Sequence, residues 1–224
     1  MLERLYSHRF SIFFISQIVI LFGSLLIPSG VFESLVLSIF FLINIVAGIV
    51  LVSKSKGFLW FFIGLLCILL SNFIFKLEEK QLLFRYIKMA GYFLFYGFVA
   101  TQLIKQVWQA KIVDRNVIFG LISGYISLGL IGFFICLAIE ISNPGSFEGL
   151  KVIASNTDAL TEQLMYFSYI TLLTIGYGDI LPVTTLAQKA TILIGLMGQM
   201  YLVVITAIVV GKYINQSAVA NKKD

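Results

Sequence analysis

Thr174-Ile175-Gly176-Tyr177-Gly178-Asp179, followed after two residues by Pro182, is the stretch that sets the terms for the rest of the chain. Its glycines fall at alternate positions, and glycine visits backbone regions closed to other residues. Alternation of this kind lets consecutive carbonyls turn to one side of the chain. One such segment alone is a loop. Several around a common axis stack rings of carbonyl oxygens, which can replace the hydration shell of a bare monovalent cation.

These six residues in this order resemble the selectivity filter of potassium channels. The surroundings fit the resemblance: an apolar segment before, Pro182 after, then a long apolar run. A glycine-rich turn that matches by chance is the plainer reading, and six residues in fixed order weigh against it.

Composition leads to a membrane independently of that motif. The chain has 224 residues, 59% hydrophobic and 12% charged, with a mean hydropathy of +0.99. Soluble proteins carry roughly 25% charged residues. Half that charge, together with several apolar runs near the ~20 residues that cross a bilayer, describes an integral membrane protein. The net charge of +5 does not argue for nucleic acid, because the cations sit in loops between apolar runs. Cys67 and Cys136 lie within apolar runs with no metal-ligand spacing, so both read as free thiols. His8, the single histidine, stands beside Arg9 ahead of the first run and reads as a headgroup contact. There is no paired acid–base set, no nucleophile with a base and no metal cluster, so nothing supports an enzyme.

In chain order, Phe10 to Ile27 is the first apolar run. It is longer than the ~7–15 residue core of a secretory signal and ends in the turn Pro28-Ser29-Gly30, so it reads as a retained helix. Val31–Val52 and Phe58–Phe75 follow. The next run is too long for one span. It divides into a crossing segment, Leu82–Thr101, and a helix on the membrane surface from Gln102 to Val113. There Leu103, Ile104, Val107, Trp108 and Ile112 share one face against Lys105, Gln106, Gln109 and Lys111, an interfacial pattern. Asp114-Arg115-Asn116 signals a helix start for the fifth run, Val117–Ile141. Leu160–Leu173 is too short to span and leads into the filter-like stretch; Thr185–Tyr213 is the last run. The expected fold is an all-α membrane protein with six transmembrane helices plus a re-entrant pore helix and selectivity-filter loop. Its parts are a four-helix voltage-sensor-like domain over 1–101, an interfacial linker helix over 102–116, and a pore domain over 117–224. Lysine and arginine are richer on the face holding both termini, which predicts cytoplasmic ends in a multi-pass protein of the cell membrane.

The resemblance to potassium channels extends from about Val117 to Tyr213 and implies roles for particular residues. Backbone carbonyls of Thr174, Ile175, Gly176 and Tyr177, with the Thr174 hydroxyl, would line potassium sites, Gly178 completing the filter. Tyr177 would point away from the ions into surrounding protein, and Asp179 would stand at the outer mouth. Tyr166 and Phe167 match an aromatic pair that supports the filter in that family. Some members carry a pore-helix glutamate that pairs with the aspartate; here that position is Ile170, so Asp179 must find water or another partner. Gly195 and Gly198 fall where the last helix often bends, Gly198 being the better hinge, although a membrane-helix glycine is equally a packing contact. Thr206 and Val210 share a face suited to a cytoplasmic constriction that closes by dewetting.

Four helices ahead of a pore module is also the layout of voltage-gated channels, whose fourth helix carries a cation at every third position. Here the series stops after Arg85 and Lys88. A charge crossing the whole field gains about 2.3 kcal/mol per 100 mV, so two charges moving part of the way give shallow gating, and these two are expected to snorkel to the outer interface. The resemblance implies a homotetramer conducting potassium passively, with potassium as permeant ion, no cofactor, membrane lipids as surroundings, and room for a separate regulatory subunit. A non-conducting regulatory subunit and a potassium transporter subunit are the competing readings.

Overall fold

The structure is a computed structural model, and it describes residues 6, 8–26, 36–52, 56–75, 82–110, 112–151 and 157–220. Glu33, near the start of the second apolar run, lies outside the described residues, as do Lys54, Lys76 and Lys80. Among the described residues the elements in order are α1 (Arg9–Phe22, ending in a 3-10 turn Gly23–Leu25), α2 (Leu37–Val52), α3 (Lys56–Phe75), α4 (Leu82–Gln109), α5 (Arg115–Ser142), β1 (Phe147–Glu148), α6 (Thr157–Leu172), β2 (Leu181–Pro182), α7 (Thr185–Met200), a π-helical segment (Tyr201–Ile205) and α8 (Thr206–Ala220). Among the described residues three helical stretches are long and apolar enough to cross a membrane: 83–109, 115–142 and 185–216. Three shorter apolar helices cover 9–25, 37–52 and 59–71.

One expectation is corrected here. The chain does not break near Thr101 into a span and a separate surface helix, because α4 runs unbroken from Leu82 to Gln109. No Gly or Pro interrupts 98–109, and the inward stripe of Tyr92, Tyr96, Val99 and Ala100 continues through buried Leu103 and Val107. That stripe finds its partner on α5, so the helix gains burial by continuing. Trp108 stays exposed on the outer side.

The helix α5 is the centre of the fold. Asp114 caps its start, the side chain accepting from Val117 N–H at 2.9 Å, and the chain then folds back so that α4 and α5 pack as a long antiparallel pair. Phe134 stacks on Tyr92 at 5.3 Å and on Tyr96 at 6.0 Å, with Phe41 of α2 at 5.9 Å. On another side α1 meets α5. Phe14 stacks on Phe119 at 5.1 Å, and Ser11 Oγ donates to Asn116 Oδ1 at 3.1 Å. The first four helices therefore share one core with the outer helix of their own chain.

Two polar seams run through that apolar core. Tyr96 OH donates to Asn44 Oδ1 at 2.8 Å, and Asn44 Nδ2 donates to Ser16 Oγ at 2.7 Å. Gln17 Nε2 donates to Ser127 Oγ at 2.8 Å and to the Ser123 carbonyl at 3.2 Å. Buried polar groups need such partners, so the seams fix which helix faces meet. Glycines on the remaining side of α5 admit α6 and the π-helical segment at close range. A Cβ on Gly129 would meet the Tyr169 ring at 2.3 Å, and one on Gly124 would meet the Tyr201 hydroxyl at 2.3 Å.

Candidate functional site

The filter-like stretch begins two residues after α6 ends. Ile170 O at that helix end accepts from Ile175 N–H at 2.8 Å and from Gly176 N–H at 3.3 Å. Thr174 N–H is held by Thr171 O at 3.0 Å. The amides of Thr174, Ile175 and Gly176 are thus tied back to the end of α6. The backbone then alternates in hand: φ is +58° at Thr174, +57° at Gly176 and +79° at Gly178, while Ile175 and Tyr177 stay at negative φ. The sign of φ thus alternates along the stretch, with both glycines in the left-handed region. Thr174 is the sole non-glycine residue with positive φ among those described, a conformation costing of order 1–3 kcal/mol that persists where neighbours enforce it.

The α6 helix is held by α5 and α7. Ser168 Oγ donates to Gly129 O at 2.7 Å and Tyr169 OH to Ile126 O at 2.7 Å, both on α5. Tyr125 OH donates to Leu172 O at 3.1 Å, and a Cβ on Gly198 would lie 2.4 Å from that same carbonyl. Gly198 therefore serves as a close contact between α7 and the end of α6. The helix departs from α geometry after Met200, in the π-helical segment, where Tyr201 OH donates to Leu121 O at 2.6 Å. Sequence reasoning missed Tyr125 and Tyr201; an aromatic residue inside an apolar run gives no sign that its hydroxyl has a structural task.

Tyr166 lies beside Asp179, close enough for the two side chains to interact, while Ile170 of the same helix is apolar and buried. Phe167 is buried, its ring 5.2 Å from Phe147, so within one chain it backs the outer turn rather than Tyr177. The short strands β1 and β2 pair antiparallel, Phe147 with Pro182 and Glu148 with Leu181, placing the turn after α5 against the residues that follow the filter-like stretch.

The remaining expected residues are dispersed. Arg85 and Lys88 are half-buried in the first two turns of α4. Thr206 is half-buried and Val210 exposed on α8, where Lys212 Nζ bonds to Trp108 O and Ala110 O, and Gln216 Oε1 accepts from Val113 N–H at 2.9 Å. These contacts join the inner helix to the connection between α4 and α5. From Leu173 to Asp179 every residue is exposed in the single chain, Tyr177 by 71% and Ile175 by 48%. No group of His, Cys, Asp or Glu among the described residues is placed to hold a metal ion. The oxygen donors on offer in this stretch are main-chain carbonyls and the Thr174 hydroxyl.

Residues 121–215 match a family model described as an ion channel. The match takes in most of α5, the pore helix, the filter-like stretch and the inner helix as far as Asn215. It supports an ion channel embedded in a membrane by apolar helices. No curated protein and no solved structure matches the chain.

Proposed function

We propose that the protein is a potassium-selective channel, assembled as a homotetramer and conducting passively through a pore lined by carbonyls of Thr174, Ile175, Gly176 and Tyr177. The observation that carries this reading is the alternation of backbone hand from Thr174 to Gly178. It gives each copy a ladder of carbonyls on one side, and a ladder coordinates an ion on all sides only when several copies surround an axis. The exposure of Ile175, Tyr177, Leu193, Leu196 and Met200 in one chain supports assembly, since apolar faces of this extent mark interaction surfaces. In the proposed arrangement the C-terminal end of α6, with its negative dipole, points toward the inner entrance and favours a cation there. Six membrane crossings with cytoplasmic termini in the cell membrane complete the reading. Two half-buried cations on α4 make strong voltage gating a poor fit, and the inner helix near Thr206 and Val210 is the proposed gate.

The test is ion flux from purified protein in liposomes. Potassium uptake with sodium excluded, lost on Gly176→Val, is the expected result. A Cβ at Gly176 meets nothing within 4 Å in the single chain, so the loss would come from denying the left-handed conformation and narrowing the axis. Equal passage of sodium and potassium would overturn the reading.

A further inference from the structure

The two polar seams in the core differ in one respect. In the first, Ser16, Asn44 and Tyr96 bond to one another, and the Ser16 hydroxyl donates onward to Phe13 O at 2.8 Å. In the second, Gln17 Oε1 and Ser123 Oγ have no hydrogen-bond partner although both residues are fully buried. Among the described residues these are the two buried side-chain polar atoms left over in this way. They belong to side chains that adjoin. Gln17 Nε2 lies 3.2 Å from Ser123 O and 2.8 Å from Ser127 Oγ, and Ser127 Oγ donates to Ser123 O at 2.8 Å. Both N–H bonds of the Gln17 amide are therefore engaged. Turning the amide over does not help, because its oxygen would then face a carbonyl that only accepts. Buried groups without partners are costly and rare in native interiors, so a further group must sit between them.

The two oxygens set the chemistry of that group. Gln17 Oε1 can only accept, which turns away an anion, while the Ser123 hydroxyl both gives and takes. Two neutral oxygens are too few for a hard cation, which takes about six or more, and no His, Cys, Asp or Glu cluster among the described residues stands by to add charge. Packing limits the size. On α5, a Cβ on Gly120 would meet Phe10 Cδ1 at 3.0 Å, and one on Gly124 would run into the Tyr201 hydroxyl, so neighbours close in on either side of Ser123. Ser123 also lies eight residues beyond Arg115, about 12 Å along the helix, which sets it well inside the span. We infer that Gln17 and Ser123 hold one structural water between α1 and α5, the water donating to Gln17 Oε1 and accepting from the Ser123 hydroxyl. Two partners are the fewest that hold a buried water, so the loss of either releases it. The first helix thus meets the fifth through solvent, where it meets α2 and α4 through direct bonds. The site is independent of what the chain conducts.

The test is magnetisation transfer from water to side-chain amides, read by NMR on the full chain in lipid nanodiscs with 15N-labelled glutamine and asparagine. Asn44 is the internal control, since its amide is as buried as that of Gln17 and belongs to the closed seam. The Gln17 Nε2 protons should receive signal from water that the Asn44 Nδ2 protons do not, and Gln17→Leu should delete the resonance and so assign it. Ser123→Ala removes one of the two holders, and transfer at Gln17 should then fall to the level of Asn44. Backbone hydrogen exchange separates a resident water from detachment of the helix: in the parent protein the amides of 13–20 should stay protected while the Gln17 side chain receives signal. Transfer at Gln17 no stronger than at Asn44 would overturn the site. Transfer that survives Ser123→Ala unchanged would overturn it too, as would rapid exchange across 13–20 in the parent protein, which would mean that α1 lifts away. Should Ser123→Ala fail to fold, the comparison of Gln17 with Asn44 in the parent protein decides alone.

Discussion

Gly195 and Gly198 look interchangeable as bend points in the last helix, yet the structure gives them different surroundings, and a paired substitution separates them. A Cβ at Gly195 meets nothing within 4 Å, whereas one at Gly198 lies 2.4 Å from Leu172 O and 3.0 Å from Leu172 Cδ1. The obstructing atom is a backbone carbonyl already held by Tyr125, so it cannot swing aside as a side chain would. Inserting a methyl into a packed site costs about 1–3 kcal/mol, and the rigidity of this one puts Gly198→Ala at the upper end. Replacing a helical glycine by alanine returns about 1 kcal/mol of helix propensity in both variants. Gly198→Ala should therefore lose about 1–2 kcal/mol net, and Gly195→Ala should gain up to about 1 kcal/mol. At about 2–4 °C per kcal/mol for a chain of this size, thermal midpoints of the purified proteins should differ by roughly 4–12 °C. The displaced carbonyl lies two residues from Thr174, so potassium flux should fall in Gly198→Ala as well. Midpoints within about 1 °C of each other, a gap worth less than 0.5 kcal/mol on the same scale, would refute the packing argument.

Two further outcomes follow from contacts within the chain. Tyr96→Phe strands Asn44 Oδ1 in the core; hydrogen bonds inside membrane bundles average about 0.6 and reach about 1.7 kcal/mol, and a double-mutant cycle with Asn44→Leu should return a coupling in that range. Gln216→Ala frees Val113 N–H from its side-chain acceptor, so exchange at Val113 should rise about fivefold, matching the ~1 kcal/mol of a neutral bond, while exchange within α1 stays constant.

The elements were legible where they depend on local chemistry. Asp114 caps α5 as its position in the sequence suggested, and the paired glycines after Thr174 carry positive φ as their spacing required. Thr174 itself, which joins that alternation, was not readable: nothing in a threonine announces a left-handed backbone until the helix end at Ile170 is seen to capture the amides after it. The misplaced break at Thr101 has a similar origin. A long apolar run suggested a division because its length exceeds one crossing, while the partner that keeps the helix whole, α5, is separated from it only by a short connection. The side chain found beside Asp179 is Tyr166, whose residue type pointed equally to core packing. Glu140 left a trace, an acid inside the fifth apolar run just ahead of Asn143-Pro144-Gly145, but its oxygens accept from the Gly145 and Phe147 amides, which only the folded turn brings within reach.

The widened turn at Tyr201–Ile205 has a mechanical consequence. A π-helical segment closes its bonds from i to i+5 and so stores one residue more than the α-helix around it. With 3.6 residues per turn, releasing that residue swivels everything below by about 100°. Thr206, Val210, Lys212 and Gln216 all lie below it. A shift in main-chain bonding at five residues, with no tilt of the helix axis, would turn Lys212 and Gln216 away from the 108–113 connection that they hold.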